Sequence, residues 1–385
     1  MMFFIVDCRS YICFWPMETG FFWMQALWVW TAVVCVLMEL VHSFGRVTGY
    51  MSSQESFWRT EDEKPPGEEA DRKRQRHDCS YFKSYADIGV HEEMLSDTVR
   101  TNAYRYAIFK NYERLRGSVV ADVGAGTGIL SVFCVQAGAK KVYAIEASDI
   151  AGQTEAVVNE NKMAERIDVI HNAVESVKFP EQLDVIVSEW MGYCLFYESM
   201  LPSVIHCRDR WLKQGGLMFP STATLYIAPF YDAEYDNRLE FWSEIRSVYK
   251  LSMESMKSYA KQSIAKQVHV NTIPPEAIQA HAQKGEFRFE CFGRTQVHGF
   301  CTWFDVGFPE GVTLTTSPYA EETHWSQTAF YVDEPFPVDQ EVCISGSIHI
   351  RPHREASRFL DISITHQVNN GPKHTRKHLM NDCFV

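Results

Sequence analysis

The chain has 385 residues, 46% hydrophobic and 22% charged, which suits a folded chain of two domains and excludes a wholly disordered one. Its 49 acids outweigh 37 Lys and Arg for a net charge of −12, so a broad basic surface for direct nucleic-acid binding is not expected, and an enzyme with a cationic substrate is easier to accommodate. The 11 cysteines are odd in number and contain no Cys-x-x-Cys pair, so they read as reduced thiols with no metal site.

Residues 1–50 hold four of the ten Trp: Trp15, Trp23, Trp28 and Trp30. Residues 21–38 form an apolar run interrupted only by Gln25 and Thr31, the minimum length for a membrane span of about 18 residues. The flanks do not suit a secretory signal. Two readings stay open. The segment is an anchor that leaves the rest facing the cytosol, or it is a leader from a mis-started chain whose soluble start is Met51. A membrane partner is expected only on the first reading. Residues 51–80 are charged, contain Pro65-Pro66-Gly67 and lack apolar periodicity, so they read as a disordered arm. Within it, Arg72-Lys73-Arg74-Gln75-Arg76 fits either a nuclear import signal or a solvated charge run.

Residues 81–220 carry the pattern of a cofactor domain. Val119-Val120-Ala121-Asp122-Val123 reads as a strand ending at Gly124-Ala125-Gly126-Thr127-Gly128. An amphipathic helix follows, then a second strand, Val142-Tyr143-Ala144-Ile145, with Glu146 at its tip. This is a nucleotide-binding crossover. The acid at the second strand can accept from both ribose hydroxyls. Asp122, just before the glycines, would repel a pyrophosphate but could bind an ammonium group. S-adenosylmethionine has an amino-acid tail, a ribose and no phosphate, and is the cofactor that fits. Ile167-Asp168-Val169-Ile170 reads as a third strand, and Glu175 beyond it could accept from an adenine amino group.

The strand Leu183-Asp184-Val185-Ile186-Val187 runs into Glu189-Trp190-Met191-Gly192-Tyr193, with Glu198 following among further aromatics. Two anions in apolar surroundings cost several kcal/mol each unless partnered, in rough terms. They either turn outward, pair with a base such as Arg208, or face each other across a site for a cation. A guanidinium suits the last arrangement, being planar, permanently charged and rich in donors.

These residues resemble a known family, the protein arginine N-methyltransferases, from about Tyr81 to the C-terminus. The resemblance rests on Tyr81-Phe82-Lys83-Ser84-Tyr85, on His91-Glu92-Glu93-Met94 and on Val123-Gly124-Ala125-Gly126-Thr127-Gly128. It rests also on the paired-glutamate loop from Ser188 through Met200, and on Thr323-His324-Trp325. Ala125 departs from a common Ser in the glycine turn. The loop is similar to that of type I enzymes, which make mono- and asymmetric dimethylarginine. Cys291-Phe292-Gly293 and His298-Gly299-Phe300 most resemble a nuclear, histone-modifying subgroup.

The resemblance implies a Rossmann-like S-adenosylmethionine-binding domain, then a β-barrel-like domain over residues 221–385 with a helical dimerisation arm inserted near residues 235–259. It implies that Glu189 and Glu198 clamp the substrate guanidinium, and that His324, paired with Asp97, accepts the released proton. The implied cofactor contacts are Phe82, His91, Arg100, Gly124, Glu146 and Glu175, with Asp122 and Gly126 completing the turn. Tyr85, Met94, Met200 and Trp325 would shape the arginine site. Implied partners are histone tails, glycine/arginine-rich segments and a second copy of the chain. The expected compartment is the nucleus, with the cytoplasm or a cytosol-facing anchor as alternatives. Two other functions compete: methylation of a small molecule, and a non-catalytic co-regulator that keeps the fold.

The strand-like runs after residue 221 (222–227, 287–292, 297–308, 312–316, 327–332, 341–350 and 359–367) are separated by Gly and Pro turns, as in a barrel or sandwich.

Overall fold

The computed structural model describes residues 68–278 and 285–381. The apolar run at 21–38 and the proposed start at Met51 lie outside the described residues. Among the described residues no helix is long and apolar enough to cross a membrane.

Helix α1 spans Glu68–Ser84, so the expected disordered arm is helical over its last part, basic cluster included. His77, Tyr81 and Tyr85 recur every fourth residue, which puts them on one helical face. That face is aromatic and polar rather than aliphatic, so a search for apolar periodicity passes over it. Helices α2 (Ile88–Ser96) and α3 (Thr98–Lys110) follow, joined at Asp97. The Asp97 backbone N–H closes α2 on Glu93 O, and its carboxylate caps α3 by accepting from Arg100 N at 2.9 Å. The short α4 is Tyr112–Leu115.

The cofactor-domain sheet is built from β1 (Val119–Val123), then helix α5 (Ile129–Gln136), β2 (Lys141–Glu146), helix α6 (Ala151–Glu160) and β3 (Ile167–His171). It continues with β4 (Leu183–Val187), helix α7 (Leu201–Trp211) and β5 (Leu212–Phe219). Every pairing is parallel and the order is β3-β2-β1-β4-β5. All five residues of β1 are buried, as expected for a strand covered on both faces. The chain winds outward from β1 through β2 to β3, then returns to the other side of β1 with β4. Ligands bind at such a switch point, at the carboxyl ends of the strands. Gly124, Glu146 and Glu189 are therefore delivered to one crevice by neighbouring strands.

Beyond β5 the chain becomes antiparallel. Its elements are β6 (Thr222–Phe230), helices α8 (Tyr235–Tyr249) and α9 (Met256–Lys266), β7 (Val268–Asn271), β8 (Glu286–Glu290), β9 (Thr295–Phe308) and β10 (Val312–Thr315). Then come β11 (Gln327–Val338), β12 (Cys343–Pro352), β13 (Leu360–Val368) and β14 (Lys373–Met380). The long β9 pairs with β6, β10 and β11, and β7 adds to β11. The other sheet runs β14-β13-β12-β8. Phe300, Phe330 and Val297 from one sheet pack against Phe289, Ile344 and Leu360 from the other, giving the barrel-like body its core. The helical arm runs past residue 259, through α9 to Lys266. β5, β7 and β14 were not read from the sequence: Gly215-Gly216 interrupts β5, the charged run 373–377 masks β14, and β7 is only four residues long.

The two domains share one core. Phe304, Val306, Phe308 and Leu314 of the antiparallel body lie in the same buried cluster as Val120, Ile186 and Val187 of the parallel sheet. Phe304, 2% exposed, also meets Trp325 edge-on at 5.4 Å. Phe304→Ala is therefore expected to cost about 3–5 kcal/mol and to lower one cooperative transition for both domains, read by urea denaturation with domain-specific probes.

Candidate active site

The glycine turn begins where β1 ends. Gly124 has φ +74°, a conformation that side chains resist, and a Cβ there would stand 2.4 Å from Met200 Cε. Gly124 N and Ala125 N both donate to Ile145 O, at 2.9 and 3.0 Å, which ties the turn to β2. Glu146 is buried and braces the same turn, accepting from Gly126 N at 2.9 Å and Ser148 N at 2.8 Å, one bond on each carboxylate oxygen. Each oxygen keeps a lone pair for a diol.

A cavity of about 300 Å³ opens over this turn. Phe82, His91, Arg100, Gly124, Gly126, Glu146 and Glu175 all line it, so the structure brings together every expected cofactor residue but one. His91 Nε2 lies 2.8 Å from Tyr85 O, and Glu175 accepts from Ser203 Oγ at 2.6 Å. The exception is Asp122. Its side chain is fully buried beneath the turn, bonded to Ser131 Oγ at 2.7 Å, and it is not in the cavity wall. The expected direct contact with an ammonium group is thus corrected: a strand residue two before the turn points into the sheet's packing. Burial pushes its carboxyl up to about 7.

The paired glutamates sit on the loop after β4. This loop is wound tightly. Cys194, Leu195, Glu198 and Ser199 all have positive φ, between +50° and +75°, although none is glycine. Gly192 permits the winding, because a Cβ there would lie 2.1 Å from Tyr197 O. Backbone bonds hold the conformation: Gly192 N to Leu195 O at 3.1 Å, Tyr197 N to Tyr193 O at 3.1 Å and Ser199 N to Phe196 O at 3.0 Å. Trp325 Nε1 also donates to Met191 O at 3.0 Å.

Neither glutamate turns outward. Glu189 pairs with Arg100, whose Nε and Nη2 reach Oε2 at 3.0 and 2.9 Å, and both side chains are 8% exposed. Its other oxygen accepts from Met191 N at 3.2 Å. Arg208, the base considered from sequence, pairs with Asp209 instead. Glu198 Oε2 accepts from Tyr81 and Tyr85 hydroxyls at 2.8 and 2.6 Å. Burial raises the Glu198 carboxyl, and Glu189 adds to this; the two tyrosines and Arg358 pull it down, leaving it above the ordinary range. Burial and Glu198 push both phenols well above theirs, so the tyrosines remain donors.

A second cavity of about 350 Å³ adjoins the first. Tyr81, Tyr85, Met94, Glu189, Glu198 and Arg358 belong to both walls, while Met200 faces the first and His324 and Trp325 the second. His324 Nδ1 lies 2.7 Å from Asp97 Oδ2, with Asp97 3% exposed. Burial works to raise the Asp97 carboxyl, but bonds from His324 and from the backbone N–H groups of Arg100 and His324 outweigh it and hold it below the ordinary value. Arg358 was missed from sequence. It stands in a turn with no readable motif, and only the fold carries it to the glutamates.

Known proteins agree with this geometry. Residues 221–285 and 266–371 match the arginine methyltransferase oligomerization subdomain, and residues 106–217 match the ribosomal protein L11 methyltransferase (PrmA) family. Protein arginine N-methyltransferase 6 of Xenopus tropicalis is 46% identical over 328 residues, covering 80% of this chain and 96% of the relative. The chain belongs to the protein arginine N-methyltransferases. Among solved structures, the Trypanosoma brucei PRMT1 enzyme–prozyme heterotetramer with AdoHcy superposes with a TM-score of 0.71 at 30% identity, covering 78% of this chain and 100% of that one. Arabidopsis thaliana protein arginine methyltransferase 10, in an open conformation, gives 0.68 at 31% identity, covering 78% and 99%.

S-adenosylmethionine is the cofactor of this methyltransferase. The residues present fit it. The turn offers bare backbone at Gly124 and Gly126, Glu146 offers both carboxylate oxygens to a ribose, and Arg100 offers a cation beside them. Two outcomes follow from this geometry. Gly192→Ala forces the clamp loop off Tyr197 O and is expected to abolish turnover while S-adenosylhomocysteine still binds, measured by calorimetry. Asp97, lowered in the folded state, contributes stability above its unfolded value of about 3.9, and this is lost as pH falls through the folded value. Asp97→Asn is therefore expected to flatten the stability–pH curve in that acid window, read by denaturation at a series of pH values.

Proposed function

We propose that this methyltransferase is a type I enzyme acting on nuclear basic proteins such as histone tails and glycine/arginine-rich segments, as a homodimer. The observation that supports it most is that Glu189 and Glu198 stand in the wall common to two cavities. One cavity takes the cofactor and the other takes the substrate side chain, so the carboxylates hold the acceptor nitrogen at the boundary. A small-molecule methyltransferase has no need of such a pair, and a scaffold has no need to keep it.

When bound, S-adenosylmethionine supplies an electrophilic methyl group on a sulfonium sulfur. The rest is done by the chain. Glu189 and Glu198 receive the guanidinium by charge-assisted bonds, fix its plane, and offset the repulsion between two cations. Tyr81 and Tyr85 load Glu198 Oε2, which leaves Oε1 for the substrate and sets the carboxylate's tilt. Met94 and Met200 flank the acceptor and limit its room, and Trp325 walls the substrate side. An ionised Asp97 can only accept, so His324 Nδ1 donates to it and Nε2 is the nitrogen open to the released proton.

The dimer reading is supported by the arm. Its root is packed through Ile264 and Ala265, but Phe241, Val248, Tyr249 and Tyr259 are exposed. A second copy would cover them, and light scattering should give the mass of two chains. The nuclear assignment follows the subgroup resemblance around residues 291–300.

With labelled S-adenosylmethionine and histone-tail peptides, the expected products are monomethyl and asymmetric dimethylarginine; symmetric product would end the type I reading. Glu189→Gln and Glu198→Gln should each lower turnover by roughly 100- to 1,000-fold and spare cofactor binding, by analogy with deletion of a charge-stabilising active-site group.

A further inference from the structure

Arg358 lies in the turn between β12 and β13, far along the chain from the clamp loop, yet five separate contacts converge on it. Its carbonyl accepts from Glu198 N at 2.9 Å, and its Nη1 donates to Glu198 O at 3.0 Å. Both backbone groups of a residue held at φ +75° are thus fixed by one arginine. Its Nε donates to Asp78 Oδ1 of α1 at 2.9 Å. Its guanidinium lies 3.9 Å from the Tyr81 ring centroid and 5.0 Å from that of Phe82.

The same turn holds α1 elsewhere. Lys73 Nζ pairs with Glu355 at 3.0 Å, Arg74 Nε donates to Arg354 O at 2.8 Å, and His77 meets Phe359 edge-on at 4.9 Å. The first two are exposed, and Lys73–Glu355 is the kind of surface pair that contributes little. The Arg358 side chain is 17% exposed and lines both cavities. It is a charged group at which α1, the clamp loop and the antiparallel domain meet, beside Phe359, which touches His77 and Tyr197.

We infer that Arg358 is a positioning residue that makes placement of Glu198 depend on α1 being docked. With α1 in place, Arg358 orients Tyr81 toward the Glu198 carboxylate and pins the Glu198 backbone at once. With α1 released, the arginine loses Asp78 and both rings, and the tyrosine donors leave Glu198 together. The inference rests on the reading of Glu198 as part of the guanidinium clamp. A lysine cannot replace the arginine, because a compact ammonium cannot stack on Tyr81 while donating along two directions.

The experiment uses the full chain with Arg358→Ala, Arg358→Lys, Asp78→Asn and Glu198→Gln. Arg358→Ala and Arg358→Lys are expected to lower kcat by roughly 10- to 100-fold with a smaller rise in peptide KM, the size expected of a misplaced group. Asp78→Asn should follow in the same direction with a smaller loss. S-adenosylhomocysteine should protect α1 from tryptic cleavage after Arg76 and Lys83 in the wild type, and fail to do so in both Arg358 variants. The pH profile separates positioning from bulk. Tyr81, Tyr85, Glu189 and Arg358 face the Glu198 carboxyl. Loss of the cation should move the acid limb of kcat/KM upward in Arg358→Ala, and Arg358→Lys should restore that limb without restoring kcat. A folded Arg358→Ala with wild-type kcat, acid limb and protection overturns the inference. If that variant does not fold, Arg358→Lys with wild-type kcat and protection overturns it equally. Wild-type turnover in Glu198→Gln would sink the clamp reading itself. An inactive Glu198→Gln beside a wild-type Arg358→Lys sinks this inference alone.

Discussion

The structure depends on keeping two carboxylates charged and close together in a wall that water barely reaches. Such a pair is unfavourable on its own, since each anion loses hydration and each repels the other. The fold answers by supplying partners from every direction. α3 brings Arg100 to Glu189, α1 and the turn that ends it bring the Tyr81 and Tyr85 phenols to Glu198, and the antiparallel domain brings Arg358 to the Glu198 backbone. The result is a pair of carboxylates already partnered in the wall shared by the two cavities.

The loop that carries the pair could not hold its shape alone. Four of its non-glycine residues lie in left-handed conformations, each disfavoured by clashes of its own Cβ. Its entry is anchored in β4, a central strand of a sheet packed on both faces, and its exit is α7. Between them, Trp325 and Arg358 hold it from the antiparallel side. This explains why the two domains share a core: a loop strained between them stays in place only if they do not move independently.

Much of the cofactor domain was readable because its signals are local. A β-rich run, a glycine turn, an amphipathic helix and an acid at the next strand's tip occur in one short stretch, and each follows from backbone sterics or lone-pair chemistry. The glutamate pair was readable because two acids among aromatics break the usual pattern of burial. Helix α1 was not, because its inward face of His77, Asp78 and Tyr81, continued by Tyr85 in the turn beyond, is polar and gains its meaning only from what it touches. Asp122 was misplaced for the opposite reason: it belongs to a readable motif, but strand alternation turns its side chain under the turn and away from the cavity.

The sequence by itself determined a phosphate-free nucleoside cofactor and marked Glu189 and Glu198 as a pair of anions suited to a guanidinium, while the pairing of His324 with Asp97 came only from the family resemblance. The first two are properties of residue types at short spacing, whereas His324 and Asp97 stand 227 residues apart and meet only in the fold. Only the tertiary structure decided how they are held. It paired Arg100 with Glu189, closed α1 over the crevice, set the two cavities back to back at the glutamates and brought Arg358 to Glu198. These contacts join residues separated by most of a domain or more. No local rule of propensity or periodicity encodes them, because they arise from the packing of two domains around a charge that neither could bury alone.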